Sequence, residues 1–237
     1  MPVSSLDRAT IDAAFSLFDS LYAGTDRARF ERDLHDKQLV ILLRDAGDHI
    51  LRGFSTIHLG EVAYGRRRAR LVYSGDTAIH PAYWGQKCLQ RAFATVLMRE
   101  KLRHPSRPLL WFLISKGYKT YLLLVNHFPR SLPRSGRPAP ARLQETLSAV
   151  AGERFGDAFD PVRGVISYGT PRERVRHEVA PIDRPLLRDA HVAFFVTRNP
   201  GYQRGDELAC LAEVRAIDPV RIFVRSWWRA RVRRGFG

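Results

Sequence analysis

Apolar positions recur at helical spacing near the start of the chain, where Ile11, Phe15, Phe18 and Tyr22 fall on one face and Ser4, Ser5 and Asp7 stand ahead as caps. The spacing predicts a helix from about Leu6 to Tyr22. A shorter helix follows, capped by Thr25 or Asp26, with Phe30 and Leu34 turned inward among charged neighbours. The pattern then changes to β-rich runs at Leu39 to Leu43 and Ile50 to His58, separated by the turn-forming stretch from Asp45 to Asp48. A third run starts near Glu61, breaks at Tyr64 to Arg68, and continues from Arg70 to Ile79. The first eighty residues therefore predict two helices followed by an antiparallel meander.

Beyond Pro81, Leu89, Phe93, Val96, Leu97 and Leu102 mark a long helix that ends near His104 and Pro105. The continuous apolar run from Pro108 to Ser115 suits a strand buried on both faces. Tyr118 to Phe128 is the next helix, stopped by Pro129 and Pro133. Arg130 to Pro140 reads as an exposed connector, Ala141 to Ala151 as an amphipathic helix, and the stretch up to Pro185 as loops with short elements. His191 to Thr197 and Leu208 to Val214 read as two strands joined by a long loop rich in Asn, Pro and Gly. The expected organisation is one α/β (α+β) domain over 1–237, with an insertion at about 129–189 before the last strand pair and a basic tail at about 215–237.

With 45% hydrophobic residues in 237, the chain has ample core material. Cys88 and Cys210 are far apart in apolar patterns, so they support neither a disulfide framework nor a zinc site, and a reducing compartment fits best. The first residues lack a basic segment followed by an apolar one, so a cytoplasmic location is expected. Lys116, Gly117 and Lys119 interrupt the most apolar stretch, Leu109 to Phe128, and argue against a bilayer span. The net charge of +15 calls for an acidic partner: nucleic acid, an anionic membrane surface, a phosphorylated cofactor or an acidic carrier protein. Six arginines with Phe223, Trp227 and Trp228 crowd the segment Arg221 to Gly237, which reads either as a docked helix or as a cationic, aromatic contact for membrane or nucleic acid. No serine elbow, phosphate-binding Walker loop or metal-ligand helix motif occurs in the chain, and no metal is expected.

The segment Ile79-His-Pro-Ala-Tyr-Trp-Gly85, placed just before the long helix, resembles the strand-end sequence of the GNAT N-acyltransferase superfamily. Arg32-Asp-Leu through Asp45, followed by Arg52-Gly-Phe-Ser55, similarly resembles that family's first hairpin. The resemblance covers roughly Leu6 to Phe128 and, more loosely, His191 to Val214. It implies a mixed central sheet flanked by helices and transfer of an acyl group from a pantetheine thioester, either acyl-CoA or an acyl group on acyl carrier protein, to an amine acceptor. Its donor loop would be Trp84, Gly85, Gln86 and Lys87, with Arg91 one turn into the helix. There the family turns small residues toward the pyrophosphate of coenzyme A, whereas this chain has Lys87 and Leu89. The competing reading keeps the fold without catalysis and uses the basic face for nucleic acid or an anionic membrane.

Transfer to an amine requires a base for the ammonium proton, donors for the developing oxyanion and an acid for the departing thiolate. In the implied fold these converge where the strand before the long helix parts from the strand after it. Asp76 and His80 are the titratable groups on the first of these strands, four residues apart and on one face if alternation is strict. Tyr118 or Tyr121 falls where the resemblance implies the thiolate-protonating tyrosine. Asn126, Asp206 and Glu207 are the implied acceptor-side residues, set against simpler roles in helix capping and in a solvated loop.

Overall fold

The computed structural model describes residues 1–170 and 172–223 of the chain. Helix α1 (Arg8–Leu21) starts at Asp7, whose carboxylate accepts from the Thr10 amide at 2.9 Å, and α2 (Arg27–His35) starts at Asp26 by the same device. Between them lies the two-residue strand β1 (Tyr22–Ala23). Strands β2 (Leu39–Arg44), β3 (Leu51–Tyr64) and β4 (Arg67–Ile79) form the meander. Then come α3 (Cys88–Arg103), β5 (Leu109–Ser115), α4 (Tyr118–His127), β6 (Ser131–Leu132) and α5 (Ala141–Phe155). Short strands β7 (Phe159–Asp160), β8 (Val165–Ile166) and β9 (Arg174–Val175), helix α6 (Ala190–Arg198) and strand β10 (Glu207–Val214) complete the order.

An eight-stranded mixed sheet runs β2-β3-β4-β5-β10-β8-β7, with β6 also paired to β10, while β1 and β9 form a separate two-stranded sheet. Helices cover both faces. Strand β5 is why two layers hold together: Leu109, Trp111 and Leu113 pack with α3, α4 and α6, while Leu110 and Phe112 pack with α5. A strand with both faces buried has to read as an unbroken apolar run, as this one does. Trp111 sits between Phe93 and Phe128 at centroid distances of 4.8 and 4.9 Å, and its indole N–H donates to Ser74 Oγ at 2.9 Å. Truncating so buried an aromatic to alanine costs about 3–5 kcal/mol. A third cluster, centred on Phe18, Phe30 and Phe54, seats α1 and α2 on the meander.

Two expectations from the sequence are corrected. His191 to Thr197 belongs to helix α6, not to a strand. Its aromatic and β-branched residues suggest a strand, but Asp189 accepts from the His191 and Val192 amides as an N-cap, and Val192 and Phe195 bury one helical stripe. Arg130 to Pro140 is not wholly an exposed connector, because Leu132 is buried and pairs with Leu211 of β10. The insertion also supplies β7 and β8, which extend the sheet beyond β10. Most of the basic tail, with Trp227 and Trp228, lies outside the described residues. No helix among the described residues is long and apolar enough to cross a membrane.

Candidate active site

The site begins with a fault in the sheet. Strands β4 and β5 are parallel, paired from Arg70↔Leu109 to Ser74↔Leu113, and their pairing stops there although both strands continue. On the other side of β4, the register with β3 jumps from Ile57↔Ser74 to Ser55↔Thr77, so Gly75 and Asp76 together oppose Thr56. This is a β-bulge, which bends the strand and re-aims the bulged side chain. A Cβ on Gly75 would lie 2.7 Å from Thr56 Oγ1 and 3.0 Å from Lys37 Cε, so the bulge closes only around glycine.

Beside the parted strands lies a cavity of about 1500 Å³. Its walls have opposite electrical character at different places. On the side of α3 it is lined by Tyr83, Trp84, Gly85, Gln86 and Lys87. Gly85 and Lys87 are both left-handed, at φ 85° and 63°, and they turn the chain into α3. That helix has no side-chain N-cap hydrogen bond, so its first turn keeps the positive end of the helix dipole without a capping side chain. A lysine in this conformation takes the backbone shape for which glycine is usually selected, at a cost of roughly 1–2 kcal/mol.

Where the strands part, the lining includes Asp76, Lys116 and Glu207. Lys116 Nζ is 3.2 Å from Glu207 and 3.8 Å from Glu173, and Arg29 meets Glu173 at 2.8 Å. Burial opposes the Lys116 charge, but Glu207, Asp76 and Glu173 outweigh it, so the ammonium pKa is raised. Burial raises the pKa of Asp76, with Lys116 opposing. The same balance raises Glu207. The Asp76 side keeps partial access to the cavity, and its desolvation comes from the protein packed around it. Tyr22 also lines the cavity and donates to the Thr77 carbonyl at 3.0 Å; burial raises its hydroxyl pKa to about 12, so it stays protonated.

The remaining residues singled out in the sequence are placed as follows. Asn126 lines the cavity together with Leu122 and Leu123. His80 stands outside the lining: it caps a short turn, with Nδ1 accepting from the Ala82 amide at 3.3 Å. Arg91 also stands outside, its guanidinium 3.3 Å from Cys88 Sγ. Tyr118 and Tyr121 are buried in the core between sheet and helices, Tyr121 against Phe194 and Phe195. Asp206 lies away from the cavity, 3.9 Å from Arg204. Thus Asp76, Trp84 to Lys87, Asn126 and Glu207 share one cavity, and His80, Arg91, Tyr118, Tyr121 and Asp206 do not. Lys116 and Glu173 were not anticipated. The first was visible as the break in the apolar run after β5; the second, inside a long insertion, gives no sequence signal.

No protein-family model and no curated protein sequence matches the chain. Similar solved structures include a probable N-acyltransferase from Enterococcus faecalis, 18% identical, with TM-score 0.39, covering 51% of this chain and 30% of that one. The NatC complex bound to Gag peptide and CoA is 14% identical, with TM-score 0.40, covering 53% of this chain and 80% of that one. An acetyltransferase from Vibrio fischeri is 13% identical, with TM-score 0.30, covering 46% and 90%. The chain spans under a third of the length of the Enterococcus faecalis protein.

Proposed function

We propose that the protein is an N-acyltransferase that moves an acyl group from the thioester of coenzyme A to an amine. The observation that carries this reading is the polarity of the one cavity beside the parted strands. Uncapped helix amides and Lys87 lie on one wall, and the Asp76 carboxylate lies on another. The first wall suits a pyrophosphate, and the second suits an ammonium group.

In this reaction the amine nitrogen attacks the thioester carbonyl, a C–N bond forms, the C–S bond breaks and the thiolate leaves. Asp76 is suited to accept the ammonium proton, because burial lifts a carboxyl group toward the pH at which it works. Lys116, held protonated by Glu207, Asp76 and Glu173, is no base; its charge opposes the upward shift that burial imposes on the Asp76 carboxyl.

The test is thiol release from acetyl- and longer acyl-CoA in the presence of a panel of primary amines. Asp76→Asn should lower kcat/KM by roughly 10²–10⁴, the range for losing a general base. The wild-type rate should rise with pH through a limb above the ordinary carboxylate range, and the variant should lack that limb. Parallel reactions with acylated carrier protein decide which thioester is the better donor. Absence of thiol release with every donor and amine, or an Asp76→Asn variant with full activity, overturns the proposal.

A further inference from the structure

The insertion does more than extend the sheet. Residues 172–180 cross over the acidic part of the cleft and are fastened on several sides. Strand β9 pairs antiparallel with β1, in register Tyr22↔Val175 and Ala23↔Arg174. The Arg176 amide donates to the Leu21 carbonyl at 3.0 Å, and its guanidinium to the Asp19 carbonyl at 3.1 Å. The Arg172 amide donates to the Arg204 carbonyl at 3.2 Å. Lys119 Nζ, on α4, donates to the Val179 carbonyl at 3.1 Å. Glu173 reaches down to Lys116 and sideways to Arg29. Gly24 and Gly205, both at positive φ, let the backbone come close: a Cβ there would lie 3.4 and 3.0 Å from the Arg172 carbonyl.

Three consequences bear on the acceptor. Glu207 on the floor and Glu173 on the segment itself are 3% and 7% exposed, so the place where they meet Lys116 is largely shut off from bulk water. One edge of β1 is already taken by β9, so an extended peptide cannot add there as a strand. The cover's own contribution to the cavity wall is apolar, from Val175, Val179 and Ala180. In addition, Asp76, Glu207 and Glu173 surround the Lys116 ammonium, Asp33 and Lys37 also act on Asp76, and Arg29 pairs with Glu173, so the cluster holds four carboxylates against three cations and an acceptor bringing its own carboxylate would add to the negative excess.

We infer that residues 172–180 are a fixed cover that restricts the acceptor to a small primary amine with an apolar body and no carboxylate, with Glu173 as the positioning residue that holds the cover to its floor. This inference rests on the acyl-transfer reading. It departs from a peptide or amino acid acceptor.

Three probes share one side chain and separate the possibilities: phenethylamine, phenylalanine and a short peptide with N-terminal phenylalanine, each with acetyl-CoA and the full chain. Phenethylamine should be acylated with kcat/KM at least about tenfold above either of the others, a difference that a single unfavourable contact supplies. Arg176→Ala loosens the cover without altering the charge near Asp76, and Glu173→Ala cuts its inner anchor. In either variant the disadvantage of the peptide should shrink by at least about threefold. Equal use of the peptide and phenethylamine by the wild type overturns the inference and leaves the acyl-transfer reading standing. If no amine is acylated, that reading fails and the inference with it. Hydrogen exchange checks the cover independently: the Arg172 and Arg176 amides, which donate to the Arg204 and Leu21 carbonyls, should be protected in the wild type and should exchange faster in Arg176→Ala, whereas fast exchange of both in the wild type refutes a fixed cover.

Discussion

The buried charge cluster makes a demanding prediction for Lys116→Met. Lys116 is the ammonium shared by Glu207 at 3.2 Å and Glu173 at 3.8 Å, and the side chains of all three are at most 17% exposed. Methionine keeps the length and apolar stem but removes the charge, leaving buried carboxylates facing one another. Breaking a buried pair from one side costs roughly 3–5 kcal/mol. For a chain of this size about 2–4 °C accompanies each kcal/mol, so Tm should fall by roughly 6–20 °C at pH 7. The sign with pH follows from the raised Lys116 pKa. That contribution is fully present below the unfolded lysine value of about 10.4 and is lost only as pH rises through the folded one. In the variant the remaining carboxylates relieve their repulsion by binding protons, so the deficit should narrow as pH falls toward about 4–5. Replacing both partners, Lys116→Met with Glu207→Leu, should recover part of the loss, since an apolar pair needs no counter-charge. Urea titrations of the three proteins across pH provide the measurement. A loss at pH 7 below about 1 kcal/mol, the range of a surface pair, would refute the buried cluster as described, as would a loss that does not vary with pH.

Two further substitutions probe the backbone of the cleft. Gly75→Ala drives a Cβ against Thr56 Oγ1 and Lys37 Cε, and should cost about 1–3 kcal/mol in urea unfolding while lowering kcat more than it changes KM for donor. Lys87→Gly relieves a left-handed lysine, so unfolding free energy should rise by about 1 kcal/mol, while KM for acyl-CoA increases through loss of a charge beside the helix terminus. A stabilised variant with unchanged donor KM would remove Lys87 from the donor site.

The architecture was readable wherever one local pattern decides it. The unbroken run from Leu109 to Ser115 suits a strand covered on both faces, as found, and the stripes of α1, α3 and α4 follow helical spacing. The site was readable only in part, because it is assembled by registry between distant segments. Asp76 turns toward the cavity because the bulge breaks strict alternation; a Gly-Asp pair in sequence is compatible with a bulge or a turn, as found, but does not fix where the side chain points. His80, four residues on, leaves the strand to cap a turn. Lys116 was noticed as a break in hydrophobicity, yet its meaning depends on Glu207 and Glu173, far along the chain. The β1–β9 pairing joins residues about 150 positions apart through two residues on each side, too few to leave any alternation. Helix α6 shows the opposite problem: its composition favours a strand, and the deciding signal was the single carboxylate of Asp189 at its start.

The placement of the tyrosines bears on how the thiolate leaves. Tyr118 and Tyr121 occupy the stretch where a protonating hydroxyl was expected, but both are packed in the core and neither lines the cavity. Burial raises the hydroxyl pKa of each, as befits groups that stay neutral within packing. A thiol ionises near pH 8.5, so a departing thiolate is a modest anion that needs far less help than an alkoxide. On the proposed reaction, the uncapped start of α3, with Lys87 beside it, stabilises negative charge without donating a proton outright. Tyr118→Phe and Tyr121→Phe should therefore leave kcat within about twofold, since only a proton donor in contact with the leaving group is worth orders of magnitude. Measured against the same donor and amine as Asp76→Asn, a loss of a hundredfold in either phenylalanine variant would show that the core opens during turnover and that the thiolate is protonated from within it.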